Sequence, residues 1–378
     1  MIDFTKLTGI EHDGKAVVQI EDSAGRVLWA VQSDEPVVLQ VEKQSITSYA
    51  GETSYSDNCV LLDIYPKKSN SEIKVTYGGL TKTLTFSGIN AMQVYFGTFN
   101  GVSDSVATPA SGTLTIEGAC DSFACGVYQN GSKTTSKGYC SCITAVDEFG
   151  SITKIAPYAF RSCTNLALTE LPSGITSIGS YAFYSCTNLA LTSLPSGTTS
   201  IGDYVFYYCT NLALTELPSG ITSIGNHAFY NCSDITLSEL PSGITSIGNY
   251  AFDDCRKISI RVFPKSLISI GEGAFIISEN SVTNMYGLTI VLPSGLKSIG
   301  DAAFSSRPKS GTNVRNGYLA GVEILATTPP TLTMDVGVFA IEGDFESTFK
   351  ITVPAGCGDA YKAAEGWSAY ADRITEAS

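Results

Sequence analysis

The chain has 378 residues, 43% of them hydrophobic, and a formal net charge of −13. That apolar content suffices for two or three packed domains. Between Thr164 and Asp254 there is no Lys or Arg, while Glu170, Asp203, Glu216, Asp234, Glu239, Asp253 and Asp254 all fall there. Such a stretch makes nucleic acid and anionic lipid poor partners for this part of the chain, because phosphate must be neutralised by bound cations.

In chain order, residues 1–32 carry two short apolar runs, AVVQI (16–20) and RVLWA (26–30), joined by the turn-prone EDSAG. They predict a small hairpin that serves as an attachment segment. The opening MIDFTKLTGIEHDG lacks the basic region and apolar core of a secretory signal. No run in the chain reaches the roughly 18 apolar residues of a membrane helix. After the boundary at Ser33–Pro36, residues 33–139 give alternating runs VVLQVE, VLLDIYP, EIKVTYG, TKTLTF, MQVYFGTF and TLTIEG, separated by polar turns. This predicts a small antiparallel β-sandwich of immunoglobulin-like type, with Tyr65, Tyr77, Phe86, Tyr95, Phe96 and Phe99 as core candidates and 120–139 as a junction.

From Cys140 the sequence becomes periodic. Phe160, Phe183, Phe206, Phe229, Phe252 and Phe275 stand 23 residues apart, and Cys, Pro and Gly columns keep step. A fixed period of this length marks stacked units that share a continuous core. With Cys163 as position 1, one unit reads CTNLALTELPSGITSIGSYAFYS. Leu at positions 4 and 9 flanks a strand that Pro at position 10 ends. Ile at 13 and 16 makes a second apolar pair. Gly at 17 permits a tight turn, and Phe at 21 fills the cross-section. Position 6 (Leu168, Leu191, Leu214, Leu237, Ile260) is apolar where position 7 (Thr169, Thr192, Thr215, Ser238, Arg261) is polar. Either position 6 is buried by bulging the pair that follows, or it forms an exposed aliphatic stripe; burial recovers about 1.5–3 kcal/mol per residue.

The repeated Cys reads as a stack of reduced, buried thiols. A bridge among Cys120, Cys125 and Cys142 stays open, and their spacing does not suit zinc. Phe275 and Phe304 are 29 residues apart, which places a six-residue insertion near SENSVTNMYG. The repeat array spans 140–330. Residues 331–378 form a terminal cap in which 359–374 is read as one helix, with Tyr361, Ala364, Trp367 and Tyr370 on its inner face.

The unit C-x2-L-x4-LP-x2-I-x2-IG-x2-AF-x2-C resembles the BspA-like, or Treponema pallidum-type, leucine-rich repeats, and VPAGCGDAYKAAEGW is similar to that family's end pattern. The resemblance covers about 140–378; Thr at position 7 departs from it. The expected fold is therefore mainly β with short helical turns: a leucine-rich-repeat solenoid of 23-residue units behind a small β-sandwich. The resemblance implies a surface or extracellular protein engaged in adhesion and protein binding. The segment around GRVLWA resembles the starts of prophage-encoded virion or tail-associated proteins, which implies a virion-borne alternative.

No catalytic constellation stands out. The histidines are His12 and His227, and no phosphate-binding or dinucleotide fingerprint interrupts the 23-residue beat. The expectation is a non-enzymatic binding protein with no cofactor and no metal, whose partner is a protein or a carbohydrate on a cell surface. An enzyme of unknown type is the remaining alternative. Position 19 holds Tyr181, Tyr204, His227 and Tyr250, and position 22 holds Tyr184, Tyr207 and Tyr230. These columns either recognise a ligand or cover the Phe ladder. Glu170, Glu216 and Glu239, in register at position 8 on the expected strand face, are the other binding candidates.

Overall fold

The computed structural model describes residues 20–21, 27–29, 36–50, 53–100, 102–118, 120–129, 137–139, 141–277, 283–306, 318–333, 337–339 and 348–378. In the first segments Ile20–Glu21 (β1) pairs antiparallel with Val27–Trp29 (β2), which is the hairpin read from the sequence. The rest of 1–32, with His12, lies outside the described residues, as do Cys140 and much of the insertion and of the 307–317 loop.

The sandwich is built from β3 (Val37–Glu42), β4 (Gln44–Ala50), β5 (Thr53–Pro66), β6 (Ser71–Tyr77), β7 (Leu80–Phe86), β8 (Met92–Phe99), β9 (Val102–Ser103), β10 (Ser111–Gly118) and β11 (Cys120–Cys125). Beyond β12 (Val127–Gln129) and β13 (Lys137–Tyr139), a paired hairpin, comes β14 (Ile143–Glu148). One sheet runs β14-β3-β10-β6-β7 and the other β11-β5-β8-β9, with β4 also on β5. Alternation sets the faces: Ile73, Val75 and Tyr77 are buried while Glu72 and Lys74 are exposed. Tyr77 meets Phe96 of the other sheet edge-on at 5.7 Å. Phe86 and Phe99 are buried as expected, and Tyr65 and Tyr95 pack on the core from its margin.

The two sheets take in strands from both sides of residue 140. β11, expected in a junction, pairs with β5, and β14, expected in the first repeat, pairs with β3. Together they extend the sandwich to about Glu148. The reason is capping: a solenoid end exposes apolar surface unless another element covers it. Phe123 of β11 meets Phe160 edge-on at 5.5 Å, and the Cys125 amide donates to the Ala159 carbonyl at 3.1 Å. The second sheet thus closes the first rung.

Beyond it the rungs stack in register. Phe160, Phe183, Phe206, Phe229, Phe252, Phe275, Phe304 and Phe339 form one buried column, with successive centroids 5.1, 5.5, 5.5, 5.3, 5.3, 5.2 and 5.8 Å apart. Backbone bonds tie each step, as in Phe206 N–H to Ala228 C=O at 2.9 Å. From Cys186 to Cys255 the column thiols donate back to a Phe carbonyl, for example Cys209 to Phe183 at 3.0 Å and Cys232 to Phe206 at 2.9 Å. Burial pushes the Cys186, Cys232 and Cys255 thiols well above the ordinary range, so they stay protonated. Cys120, Cys125 and Cys142 are buried as well, and no disulfide joins them to one another.

Position 6 faces inward. Leu191, Leu214, Leu237 and Ile260 are fully buried and Leu168 partly so, while Thr192, Thr215, Ser238 and Arg261 are exposed. With Leu at 9 also inside, positions 7 and 8 bulge outward together. The regular ladder therefore does not run through positions 4–9, where it was expected. It sits at positions 15–16, as parallel pairs such as Ser223↔Ser246 and Ile224↔Ile247. A strand at positions 6–9 appears only from Thr289–Leu292 onward. There Ile290 and Leu292 are buried in strict alternation, and Thr289–Leu292, Gly321–Ile324, Lys350–Val353 and Ile374–Glu376 form a four-stranded parallel sheet.

The cap is not a single helix. An α-helix, Gly358–Ala363, gives way at Gly366 (φ 79°) to a 3₁₀ helix, Trp367–Arg373. The break lets Trp367 donate from Nε1 to the Pro330 carbonyl at 2.7 Å while Tyr361 donates to the Ala326 carbonyl at 2.8 Å. Tyr370 and Trp367 then cover Phe339, the last ring of the column.

Candidate functional site

The 23-residue register turns each surface position into a row that runs along the solenoid. Two rows border a groove of about 1050 Å³. One is position 15, with Ser200, Ser223, Ser246, Ser269 and Ser298; the other is position 18, with Asp203, Asn226, Asn249, Glu272 and Asp301. The floor is the glycine column at position 17. Its need for Gly is close approach rather than the turn expected from the sequence: a Cβ on Gly248 would lie 2.6 Å from the Asn226 nitrogen of the preceding rung.

The position-18 side chains are fixed by the backbone of the following rung. Asp203 Oδ1 accepts from Asn226 N–H at 2.7 Å, Asn226 Oδ1 from Asn249 N–H at 2.8 Å, and Asn249 Oδ1 from Glu272 N–H at 2.9 Å. This leaves the Asn226 and Asn249 amide N–H groups and the second Asp203 oxygen for the groove. The serine hydroxyls of position 15 bond no other described residue. Unlike them, the Thr hydroxyls of position 14 are tied to the preceding rung, as in Thr245 to the Thr222 carbonyl at 3.0 Å. No Lys or Arg lines the groove, whereas Asp203, Glu272 and Asp301 do.

The four aromatic candidates are brought together beside this groove but do not line it. Tyr158, Tyr181, Tyr204, His227 and Tyr250 stack at 5.2, 4.7, 4.5 and 5.0 Å with nearly parallel planes. Their ring faces are spent on one another, so the column presents edges and hydroxyls instead of flat apolar area. Tyr184, Tyr207 and Tyr230 form a second column at 4.6 Å spacings, and the Arg161 guanidinium sits 4.5 Å over Tyr184. Burial and the neighbouring Tyr184 and Tyr230 push the Tyr207 phenol up to about 12. Tyr250, desolvated and bonded to the Glu272 carboxylate, also rises to about 12. Desolvation lowers the His227 imidazole despite the Asp203 and Glu272 carboxylates nearby.

Position 19 also carries a feature the sequence did not show. Tyr158, Tyr181, Tyr204, His227 and Tyr250 have φ of 62°, 61°, 57°, 52° and 54°, the left-handed region that bulky residues avoid. Ala302 takes the same position at φ 51° with no ring to stack, so the rung geometry itself sets this conformation. Where Gly273 takes the position the column stops against it. Glu170, Glu216 and Glu239 are exposed on the bulged position-8 row and are not among the groove's lining residues. The signal for the groove was present as the in-register Ser of each S-I-G and the polar residue after Gly. A two-residue strand is too short to show alternation, so periodicity alone did not flag it.

A column of stacked rings inside short, parallel, register-locked rungs defines a leucine-rich-repeat solenoid. Residues 137–259 and 223–312 match the model of the BspA type leucine rich repeat region in 6 copies. Among solved structures, the chain is similar to a leucine-rich repeat protein from Bacteroides ovatus (19% identity, 66% of this chain and 74% of that one, TM-score 0.30). It is also similar to the T. pallidum leucine rich repeat protein (26%, 43% and 75%, TM-score 0.32). A leucine rich cell surface protein from Faecalibacterium prausnitzii gives 17% identity over 65% of this chain and 84% of that one, with TM-score 0.28. No curated protein matches the sequence. No helix among the described residues is long and apolar enough to cross a membrane.

Proposed function

We propose that the chain is a non-catalytic binding protein displayed at a surface, and that the groove along positions 15–18 engages its partner. One observation carries this reading: a continuous row of serine hydroxyls without protein partners faces a row of side chains held rigid by the next rung. Preorganised polar groups cost little to order on binding. Their chemistry suits recognition; the groove has no nucleophile–base pair, and its carboxylates belong to a backbone-bonded row. Surface display follows from the family resemblance, whose members are typically surface or secreted proteins. The tyrosine corner stiffens the groove's margin, and the exposed Glu row is a second face for a protein partner.

The test is binding of the labelled full chain to intact bacterial and animal cells, compared with the Ser223→Ala/Ser246→Ala variant. Saturable binding that the variant loses while its melting temperature holds supports the groove. Binding that the variant retains in full sinks it.

A further inference from the structure

The groove's period and polarity select among ligand chemistries. Resting on the proposal that the groove binds a partner, the geometry points to a neutral, linear, β-1,4-linked glycan lying along the solenoid axis, one sugar to each rung.

Rungs joined by parallel backbone bonds repeat at about 4.8 Å, whereas an extended peptide returns a side chain to the same face only every ~6.6 Å. A peptide laid along the groove therefore drifts out of phase with both polar rows within two rungs. A diequatorially linked pyranose chain advances by roughly one rung per sugar and turns over at each step, so every rung's pair of groups meets a sugar and the same sugar edge returns at every second rung. Those groups are suited to hydroxyls. A serine hydroxyl both donates and accepts, the free Asn226 and Asn249 amide nitrogens donate, and the Asp203 carboxylate accepts.

Charge narrows the class further. With Asp203, Glu272 and Asp301 in the wall and no cation, a uronate or sulfated glycan is repelled. A protein partner is disfavoured by the lining itself. The Ile residues of the ladder are buried and turned into the core, so the groove offers no apolar pocket for the anchor on which protein interfaces depend. Ser200 through Ser298 provide five rungs and hence room for about five sugars.

The experiment is isothermal titration of the full chain with cello-, xylo- and manno-oligosaccharides of two to six units. Polygalacturonate oligomers serve as the anionic comparison and oligolysine as the cationic one. The expected result is affinity that rises with each added sugar and levels off at five or six, no binding of polygalacturonate, and at least a tenfold loss in Ser223→Ala/Ser246→Ala. Asn226→Asp, which keeps the rung bond, checks that the amide donor matters through a fivefold or greater loss at unchanged melting temperature. Affinity independent of chain length overturns the inference, as does failure of every neutral oligosaccharide. If oligolysine, or a protease-sensitive and periodate-resistant cell ligand, binds and the serine variant abolishes it, the groove stands and the glycan falls. If the serine variant changes no binding of any kind, both fall.

Discussion

Thr198 is the one member of the position-13 column that is not aliphatic: Ile175 precedes it, Ile221 and Ile244 follow, and all are fully buried. Its hydroxyl is buried with no hydrogen-bond partner among the described residues. The same step is where the parallel ladder is interrupted, since Ser177–Ile178 does not pair with Ser200–Ile201. The rungs are also wider apart there. A Cβ on Gly202 would clear the Ser180 nitrogen by 3.7 Å, against 2.6 Å between Gly225 and the Asp203 nitrogen. An unsatisfied buried hydroxyl costs about 1–3 kcal/mol, and a substitution of the same shape recovers it without opening a cavity. Thr198→Val should therefore stabilise the chain by about 1–3 kcal/mol. Thr198→Ile adds a methylene worth about 0.8 kcal/mol, less whatever strain the extra volume causes. The assay is urea unfolding followed by far-ultraviolet dichroism, with the midpoint compared at an unchanged slope. A midpoint that stays put or falls in Thr198→Val would show that the hydroxyl is satisfied and that the open step has another cause.

Other outcomes follow from the columns. Phe206→Ala, which removes a ring stacked at 5.5 Å on both sides, should cost about 3–5 kcal/mol in the same assay. At position 19, Tyr204→Gly should be less destabilising than Tyr204→Ala by about 1 kcal/mol, because φ is 57° and Ala keeps the left-handed penalty; the reverse order would remove the strain argument. Since His227 is held below its ordinary value in the fold, the unfolded chain takes up its proton first on acidification. Its contribution is then complete above the unfolded value of about 6.5 and is lost as pH falls below it toward the folded value. His227→Tyr should flatten the stability profile across that window, and an unchanged profile would contradict the assignment. The raised phenols act at the other end. Stability from Tyr207 and Tyr250 is present below pH ~10 and lost as pH rises toward about 12, which spectrophotometric titration against unfolding would show.

The elements that depend on the period were readable from the sequence. Phe at position 21 and Cys at position 1 must be buried because a bulky ring and a small thiol recur at fixed phase, and both columns are buried. The inward turn of Leu191 and Leu214 was one of two readings the sequence left open, and it is the one that recovers their burial. What escaped depends on contacts between distant segments. β14 resembles the head of a repeat, but the open edge of β3 and the exposed end of the first rung claim it for the sandwich. The helix break at Gly366 is set by where the Pro330 and Ala326 carbonyls lie. The left-handed Tyr residues defy local preference because the rung geometry fixes the corner, as it does at Ala302. The groove was hidden for a related reason. Small polar residues carry no signal singly and become a surface only when rungs align them.

Alignment is the claim most open to direct test. Ser223 and Ser246 are paired in register, so their Cα atoms lie about 4.8 Å apart, within disulfide reach, while residues two rungs apart are at ~9.6 Å and out of reach. Under mild oxidation, Ser223→Cys/Ser246→Cys should form a bridge seen as protected thiols by mass spectrometry, and Ser223→Cys/Ser269→Cys should not. Absence of the first bridge, or equal formation of both, would contradict the stacked register from which the groove is built.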